Sequence, residues 1–194
     1  VQRVRIAVLA SGSGTILQAM IEASIPIQLV VTDRQCTAET IATHNNITHV
    51  RVERESYGKD FDRDTYTCEV RDALIDHEID LIAMAGFGTI LNKPIYDDFS
   101  NRILNTHPSL LPSFPGWHAV EEALEYGVKV TGCTVHIATE EVDAGPILAQ
   151  ESIPVLKDDT KETLHERIKT VERQLYVDTI NKIITTNGQI ERDQ

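Results

Sequence analysis

Short runs of apolar, β-branched residues recur through the first half of the chain, and helix-length segments separate them. The runs predict five strands, at 3–10, 26–33, 48–52, 80–87 and 102–107. Apolar residues three or four positions apart predict helices over 15–23, near 37–45 and in the later part of 53–77. Because the strands are apolar along their whole length and alternate with helices, they indicate a mostly parallel sheet covered on both faces.

The pattern changes after residue 118. A helix is predicted over 119–127, with Gly127 as its left-handed cap. Two β runs follow, at 129–139 and 145–155, with little between them, so they predict an antiparallel extension of the sheet. A long C-terminal helix over 160–186 begins at the cap residue Thr160. The expected fold class is α/β, a Rossmann-like, mostly parallel sheet flanked by helices, with an antiparallel extension and a long C-terminal helix.

Composition narrows the class of protein. The chain has 194 residues, enough for one well-buried core, and we expect a single domain over 1–194. Its formal net charge of −12 argues against a nucleic-acid-binding surface. No apolar run reaches the roughly 20 residues of a membrane-spanning helix, and the start lacks a signal-peptide pattern, so we expect a cytoplasmic protein. The three cysteines are far apart and predict neither a disulfide framework nor a metal site.

A glycine-containing turn joins the first strand to the first helix. In "LASGSGTILQ" (9–18), Gly12 and Gly14 allow a tight backbone, and the free N–H groups of the first helical turn can then bind a phosphate. A plain strand–helix turn and a dinucleotide site are the alternatives. Asp33, at the end of the second strand, has the spacing of a ribose-binding acid, but Leu17 stands where a dinucleotide fingerprint needs glycine.

The stretch "ILNTHPSLLPSFPG" (103–116) carries the strongest candidate chemistry. Asn105 and His107 are two apart at the end of a strand, so their side chains leave on the same face. Three prolines restrict the backbone that follows. An amide donor beside a protonated imidazole suits a reaction in which negative charge grows on a carbonyl oxygen. The alternative is that both side chains only stabilise the loop.

A carboxylate would orient the imidazole and favour its protonated form. Asp143, Glu140 and Glu141 are equally available in "EEVDAGPILAQ". No Ser or Cys suited to nucleophilic attack adjoins Asn105 and His107, so the attacking group would come from the substrate, in a direct acyl transfer. His136 is expected to pack or to support the site and not to react.

Several stretches match one family. The sequences "LNTHPSLLPSFPG", "GVKVTGCTVHIATEEVDAGPILAQ", "SGSGT" and "AGFGTIL" closely resemble the phosphoribosylglycinamide formyltransferases, a branch of the formyltetrahydrofolate-dependent transferases. The resemblance extends from about Arg5 to Ile184. It implies transfer of a formyl group from 10-formyltetrahydrofolate, a co-substrate, to the amine of phosphoribosylglycinamide in purine biosynthesis. It also implies a phosphate-binding half at 1–100 and a catalytic, folate-binding half at 101–194.

The resemblance implies a role for each matching position. The catalytic residues would be Asn105, His107 and Asp143, the last keeping His107 protonated. The acceptor would be bound by Ser13, Gly14, Thr15, Ile16, Pro108, Lys169 and Glu172. The folate would be bound by Arg63, Gly88, Thr89, Ile90, Leu91, Asn105, Glu140, Glu141 and Asp143. No metal is implied, and the expected partners are these small molecules, with no nucleic acid or membrane and a monomeric or homodimeric chain.

The chain departs from the family pattern at three places. Ile16 stands where asparagine is common, which removes a side-chain donor from the phosphate turn. Lys169 stands where glutamine is common, and its charge could compensate. Gly88 and Thr89 replace a Met-Arg pair, so an apolar side chain and a cation are missing beside the folate.

Five other functions stay open at this point. A formyltetrahydrofolate hydrolase or a sugar-amine formyltransferase would share the same catalytic residues. The initiator-tRNA formyltransferase also shares them, but it normally needs a basic surface. An NAD-dependent oxidoreductase would rest on Gly12, Gly14 and Asp33, and a non-catalytic binding protein would not need Asn105.

Overall fold

The computed structural model describes residues 4–190 and contains seven strands and six helices in that range. The strands are β1 (Ile6–Ala10), β2 (Ile27–Thr32), β3 (Thr48–Arg51), β4 (Leu81–Met84), β5 (Ile103–His107), β6 (Val130–Ile137) and β7 (Ile147–Pro154). The helices are α1 (Thr15–Glu22), α2 (Thr37–His44), α3 (Arg63–Asp76), α4 (Lys93–Asp98), α5 (Ala119–Tyr126) and α6 (Lys161–Thr185).

All seven strands form one sheet in the order β3-β2-β1-β4-β5-β6-β7. The first five run parallel, whereas β6 pairs antiparallel with both β5 and β7. The predicted fold class, including the antiparallel extension, is therefore confirmed. From β1 the chain winds outward to β3 and then crosses back to β4, so the strand order reverses between β1 and β4. Open α/β sheets bind their ligands beyond the carboxyl ends of the strands at such a switch point.

Buried side chains cover both faces of the sheet. Helices α1, α2 and α6 contribute to the core on one face, and α3 and α4 to the core on the other. Tyr176 of α6 is fully buried, and its hydroxyl lies 3.0 Å from the carbonyl oxygens of both Met84 and Leu104. This contact anchors α6 against β4 and β5. No helix within residues 4–190 is both long and apolar enough to cross a membrane.

Two helix boundaries confirm the predicted capping chemistry. Gly127 ends α5 in the left-handed conformation at φ 78°. The Thr160 hydroxyl accepts a hydrogen bond from the Thr163 backbone, and Thr163 returns one to the Thr160 backbone, which completes a capping box at the start of α6.

The structure corrects two element predictions. The strand expected over 80–87 ends at Met84, because Gly86 adopts a left-handed φ of 75° and turns the backbone away. The six-residue helix α4 was not predicted, since it is too short to show a full period and has proline near its start. Residue 3 of the first predicted strand lies outside the described residues.

Candidate active site

A cavity of about 300 Å³ lies beyond the carboxyl ends of β4 and β5. Its walls come from residues 86–91, from residues 105–108, and from part of the turn at 138–143. Asn105 and His107 both line it, as the alternation of strand side chains predicts. In the antiparallel ladder, Asn105 pairs with His136 of β6, so the antiparallel extension brings a third polar side chain to the cavity.

Asp143 is the carboxylate that lies beside the imidazole. Its side chain is 5% exposed, and Oδ2 lies 3.4 Å from Nδ1 of His107. The Gly116 backbone N–H donates to the same oxygen at 2.8 Å. Glu140 and Glu141, by contrast, are exposed and do not line the cavity. The choice that the sequence left open among three acids therefore falls on Asp143.

The other nitrogen of His107 also faces an acceptor. Nε2 lies 2.8 Å from the carbonyl oxygen of Phe114. The Ser109 hydroxyl donates to Ser113 O at 2.5 Å and lies 3.3 Å from the same Phe114 oxygen. A doubly protonated ring can donate at both nitrogens, so a carboxylate on one side and a carbonyl on the other suit the imidazolium form. Both ring nitrogens of His107 thus face acceptor oxygens of the chain itself.

His136 holds the amide of Asn105. Burial lowers the pKa of His136, so the ring is neutral near pH 7. Its Nδ1 lies 3.1 Å from Ile137 O, which places the proton on Nδ1. Nε2 then accepts from Nδ2 of Asn105 across 3.4 Å. This contact orients the Asn105 amide, and no described residue accepts its second N–H, which remains for a ligand.

Glu172 reaches the site from α6. It is buried, and the Thr106 hydroxyl of the cavity wall donates to its Oε1 at 2.8 Å. Burial raises the pKa of Glu172, although the hydrogen bond from Thr106 opposes the shift. Lys169, one turn earlier, donates to Glu166 at 2.9 Å. The positive charge of Lys169, which was expected to assist the phosphate turn, is therefore paired with a carboxylate on the same helix.

The glycine turn lies beside the cavity and does not line it. Gly14, at φ 71°, precedes α1 with no side-chain cap, and Ser13 and Thr15 are exposed. Ile16 was expected to bind the acceptor, but its side chain is 9% exposed and packs in the core, so only its backbone could contact a ligand. The Ser11 hydroxyl accepts from the Gly88 backbone at 2.6 Å and so connects the turn to the cavity wall.

Asp33 is not available to a dinucleotide. Its side chain is fully buried, and Nε and Nη2 of Arg34 each donate to one of its oxygens at 2.9 Å. Thr89 adds a third hydrogen bond at 2.8 Å. Burial opposes ionisation, but hydrogen bonds from Arg34, Ser11 and Thr89 outweigh it and lower the pKa of Asp33. The dinucleotide alternative therefore loses its ribose-binding acid, because the carboxylate is already bound within the chain.

Comparison with known proteins decides the family. A family model described as formyl transferase matches residues 4–180. The chain belongs to the formyl transferase family. The phosphoribosylglycinamide formyltransferase of Mycobacterium tuberculosis is 44% identical over 186 residues, a match that covers 93% of this chain and 85% of that relative.

Solved structures of the formyl transferase family have the same fold. Glycinamide ribonucleotide transformylase 1 from Symbiobacterium toebii superposes with a TM-score of 0.87 at 39% identity, covering 95% of this chain and 89% of that one. A formyltetrahydrofolate deformylase from Pseudomonas syringae also gives a TM-score of 0.87, at 25% identity, with 95% of this chain and 62% of that chain covered. The fold alone therefore does not distinguish transfer from hydrolysis.

In this formyl transferase, the segment expected to bind folate lies largely in the cavity wall. Gly88, Thr89, Ile90 and Leu91 all border the cavity, although Leu91 is 1% exposed and also packs in the core. Nη1 of Arg63 donates to Ile90 O at 2.6 Å, at the edge of the same segment.

Sequence reasoning missed the apolar part of the wall. Met84, Phe87, Tyr96, Trp117 and Val142 line the cavity, but an apolar residue in a cavity wall has the same sequence pattern as one in the core. Trp117 is 72% exposed, and nothing in the sequence marked it. Among residues 4–190, no group of three or more His, Cys, Asp or Glu side chains is placed to hold a metal ion.

Proposed function

We propose that the protein transfers the formyl group of 10-formyltetrahydrofolate to the primary amine of phosphoribosylglycinamide, giving formylglycinamide ribonucleotide and tetrahydrofolate in purine biosynthesis. The observation that carries the proposal is the position of Asn105, His107 and Asp143 in one cavity beyond the carboxyl ends of β4 and β5. Their roles in catalysis are part of the proposal.

The chemistry is a direct acyl transfer. The acceptor amine attacks the formyl carbon, and a carbon–nitrogen bond forms as the carbonyl oxygen becomes an oxyanion. The free N–H of Asn105 donates to that oxyanion, and the imidazolium of His107, supported by Asp143, stabilises its charge. The intermediate collapses when the bond from carbon to N10 of the folate breaks. The proton lost by the amine is transferred to N10, so atoms and charge balance without a covalent enzyme intermediate.

The acceptor would lie between the glycine turn and α6. Its phosphate binds the backbone N–H groups at Ser13–Ile16, where the helix dipole and the free donors favour an anion. Pro108 borders its glycinamide end, and Lys169 and Glu172 contact the ribose or glycinamide part. Only Glu172 of these two is already hydrogen-bonded to the cavity wall, through Thr106.

The folate would lie along residues 88–91 and the turn at 138–143. Backbone N–H and C=O groups of 88–91 recognise the pterin, so Gly88 and Thr89 retain that recognition. Arg63 pairs with the carboxylated tail. The side chains of Glu140 and Glu141 do not line the cavity. Their proposed contacts with the donor are therefore made by the backbone of their turn. By this assignment the 1–100 half supplies the phosphate turn and part of the folate wall, and the 101–194 half supplies the catalytic groups and the rest of both binding sites.

A spectroscopic assay with the formyl-folate donor, run with and without phosphoribosylglycinamide, tests the proposal. Deformylation that requires the acceptor supports transfer. Deformylation at the same rate without it would identify a hydrolase, a function found for one of the structural relatives. The buried, bound carboxylate of Asp33 argues against the NAD alternative. Millimolar NAD should accordingly give no protection against thermal unfolding.

A further inference from the structure

Arg34 occupies the space above Gly88. A Cβ built on Gly88 would lie 3.0 Å from Nη2 of Arg34, so a side chain at this position would require the guanidinium to shift from where it now lies. Gly88 is also the residue at which this chain lacks the methionine common in the family pattern. The missing side chain therefore leaves room for a charged group that comes from the end of β2.

Asp33 fixes that guanidinium in place. It binds the edge formed by Nε and Nη2, and both of its oxygens are engaged at 2.9 Å. The same carboxylate accepts from Thr89, and Ser11 of the glycine turn contributes to lowering its pKa. One buried acid thus connects the turn, the cavity wall and Arg34. Because a bidentate pair restricts the planar guanidinium, little further ordering is needed when Arg34 binds a ligand.

The opposite edge of the guanidinium is open. No described residue accepts a hydrogen bond from Nη1, and the Arg34 side chain is 40% exposed. Nη1 and the second N–H of Nη2 form a fork that matches two phosphate oxygens. The chain has a formal net charge of −12, yet it places a fixed cation next to Ser11 and Gly88. This edge of the site therefore offers a positively charged donor to an anionic ligand.

We propose that Arg34 binds the phosphate end of the acceptor and determines the preference of this enzyme for a phosphorylated acceptor. The inference rests on the proposed function and deepens it, since it assigns to Arg34 a cationic contact with the acceptor phosphate, whereas Lys169 is hydrogen-bonded to Glu166. Asp33 is the positioning residue, and Gly88 provides the space.

The test compares Arg34→Ala with a matched control, Arg51→Ala. Arg51 also makes two hydrogen bonds to one carboxylate, that of Glu39, which likewise accepts from a threonine, Thr32. The control thus removes the same kind of ion pair from a part of the fold that does not contact Gly88. For Arg34→Ala we expect the acceptor KM to rise about ten- to a hundredfold, the usual size for lost hydrogen bonds to a charged group. The kcat and the donor KM should stay within about twofold, and Arg51→Ala should change none of the three.

Three further measurements give readouts that a purely structural role of Arg34 would not change. Arg34→Lys should recover part of the acceptor affinity, because it restores the charge without the fork. Gly88→Ala should raise the acceptor KM in the wild-type background and have no further effect in Arg34→Ala, since its Cβ acts by displacing the guanidinium. Binding of ribose 5-phosphate, followed by NMR titration, should weaken in Arg34→Ala by the same factor as the acceptor.

The outcomes separate the two proposals. If the wild-type protein formylates no acceptor, the proposed function fails, while the ribose 5-phosphate titration still tests Arg34. If the wild type is active but Arg34→Ala leaves the acceptor KM unchanged, the inference about Arg34 is wrong. It is equally overturned if acceptor and donor KM rise together, because that result would indicate a general distortion of the cavity wall.

Discussion

The Thr106 hydroxyl donates a 2.8 Å hydrogen bond to Oε1 of Glu172 and joins the cavity wall to α6. Burial raises the pKa of this carboxyl from its ordinary value of 4.5. The folded state therefore binds the proton more tightly than the unfolded chain does. The stability that this group contributes is fully present below the unfolded pKa and is lost as the pH rises through the folded pKa.

Replacing Glu172 with Gln should stabilise the protein at pH 8, because the amide keeps the hydrogen bond from Thr106 without a buried charge. The gain in melting temperature should shrink as the pH falls towards 4.5 and vanish below that value. At the same time the acceptor KM should rise. Glu125→Gln, at an exposed site on α5, serves as the control and should not change the melting temperature. A Glu172→Gln gain that did not depend on pH would show that burial of charge is not its cause.

Asn105→Ala and His107→Ala should each reduce kcat by at least about a hundredfold, the size expected for a lost oxyanion donor or charged partner. His44→Ala, at the exposed end of α2, should have no effect on turnover. Circular dichroism and melting temperatures would verify that the variants fold. Near-normal turnover in either variant would remove that residue from the chemistry, and in Asn105→Ala it would favour the non-catalytic alternative.

Asp143 allows a comparison between two substitutions. Its backbone is left-handed at φ 57°, a conformation that asparagine tolerates and alanine does not. Asp143→Asn should lower kcat about tenfold or more without loss of stability, because its amide oxygen can still accept from Gly116. Asp143→Ala should lose turnover and in addition about 1–2 kcal/mol of stability. If Asp143→Asn were as active as the wild type, the carboxylate would not be supporting His107.

The two glycines of the turn should differ in their tolerance of alanine. Gly14 has a positive φ, and a Cβ there would lie 2.7 Å from Ile41 Cδ1 and 3.2 Å from the Ala38 backbone. Gly14→Ala should therefore cost about 1–3 kcal/mol in the free energy of unfolding. Gly12 has no atom within 4 Å of that position, so Gly12→Ala is the matched control and should change stability little. Denaturant unfolding of both variants measures the difference, and equal losses would contradict it.

The parts of the fold that the sequence predicts are those with local chemical signals. Continuous apolar runs marked the parallel strands, and Gly127 and Thr160 marked helix ends, because caps depend on residues close in sequence. The helix α4 gave no such signal. Polar residues paired across long distances were equally hidden, as in the hydrogen bond from Thr89 to Asp33, which joins residues 56 positions apart.

The candidate site shows the same limit. Spacing placed Asn105 and His107 on one face, because a strand alternates its side chains. It could not choose among Asp143, Glu140 and Glu141, since only the folded turn determines which acid is buried. The burial of Ile16 also follows from packing against residues distant in sequence, which no local pattern reveals.

The loop between β5 and α5 holds the His107 ring at two points. The Phe114 carbonyl reaches Nε2 of His107, and the Gly116 N–H fixes Asp143 on the other side of the same ring. Phe114 adopts a left-handed φ of 51°, which is uncommon for an aromatic residue. Exchanging this loop to alter the substrate range would therefore also disturb the contacts that position His107 and Asp143. Libraries that keep positions 114 and 116 constant and vary Trp117 would separate selectivity from rate.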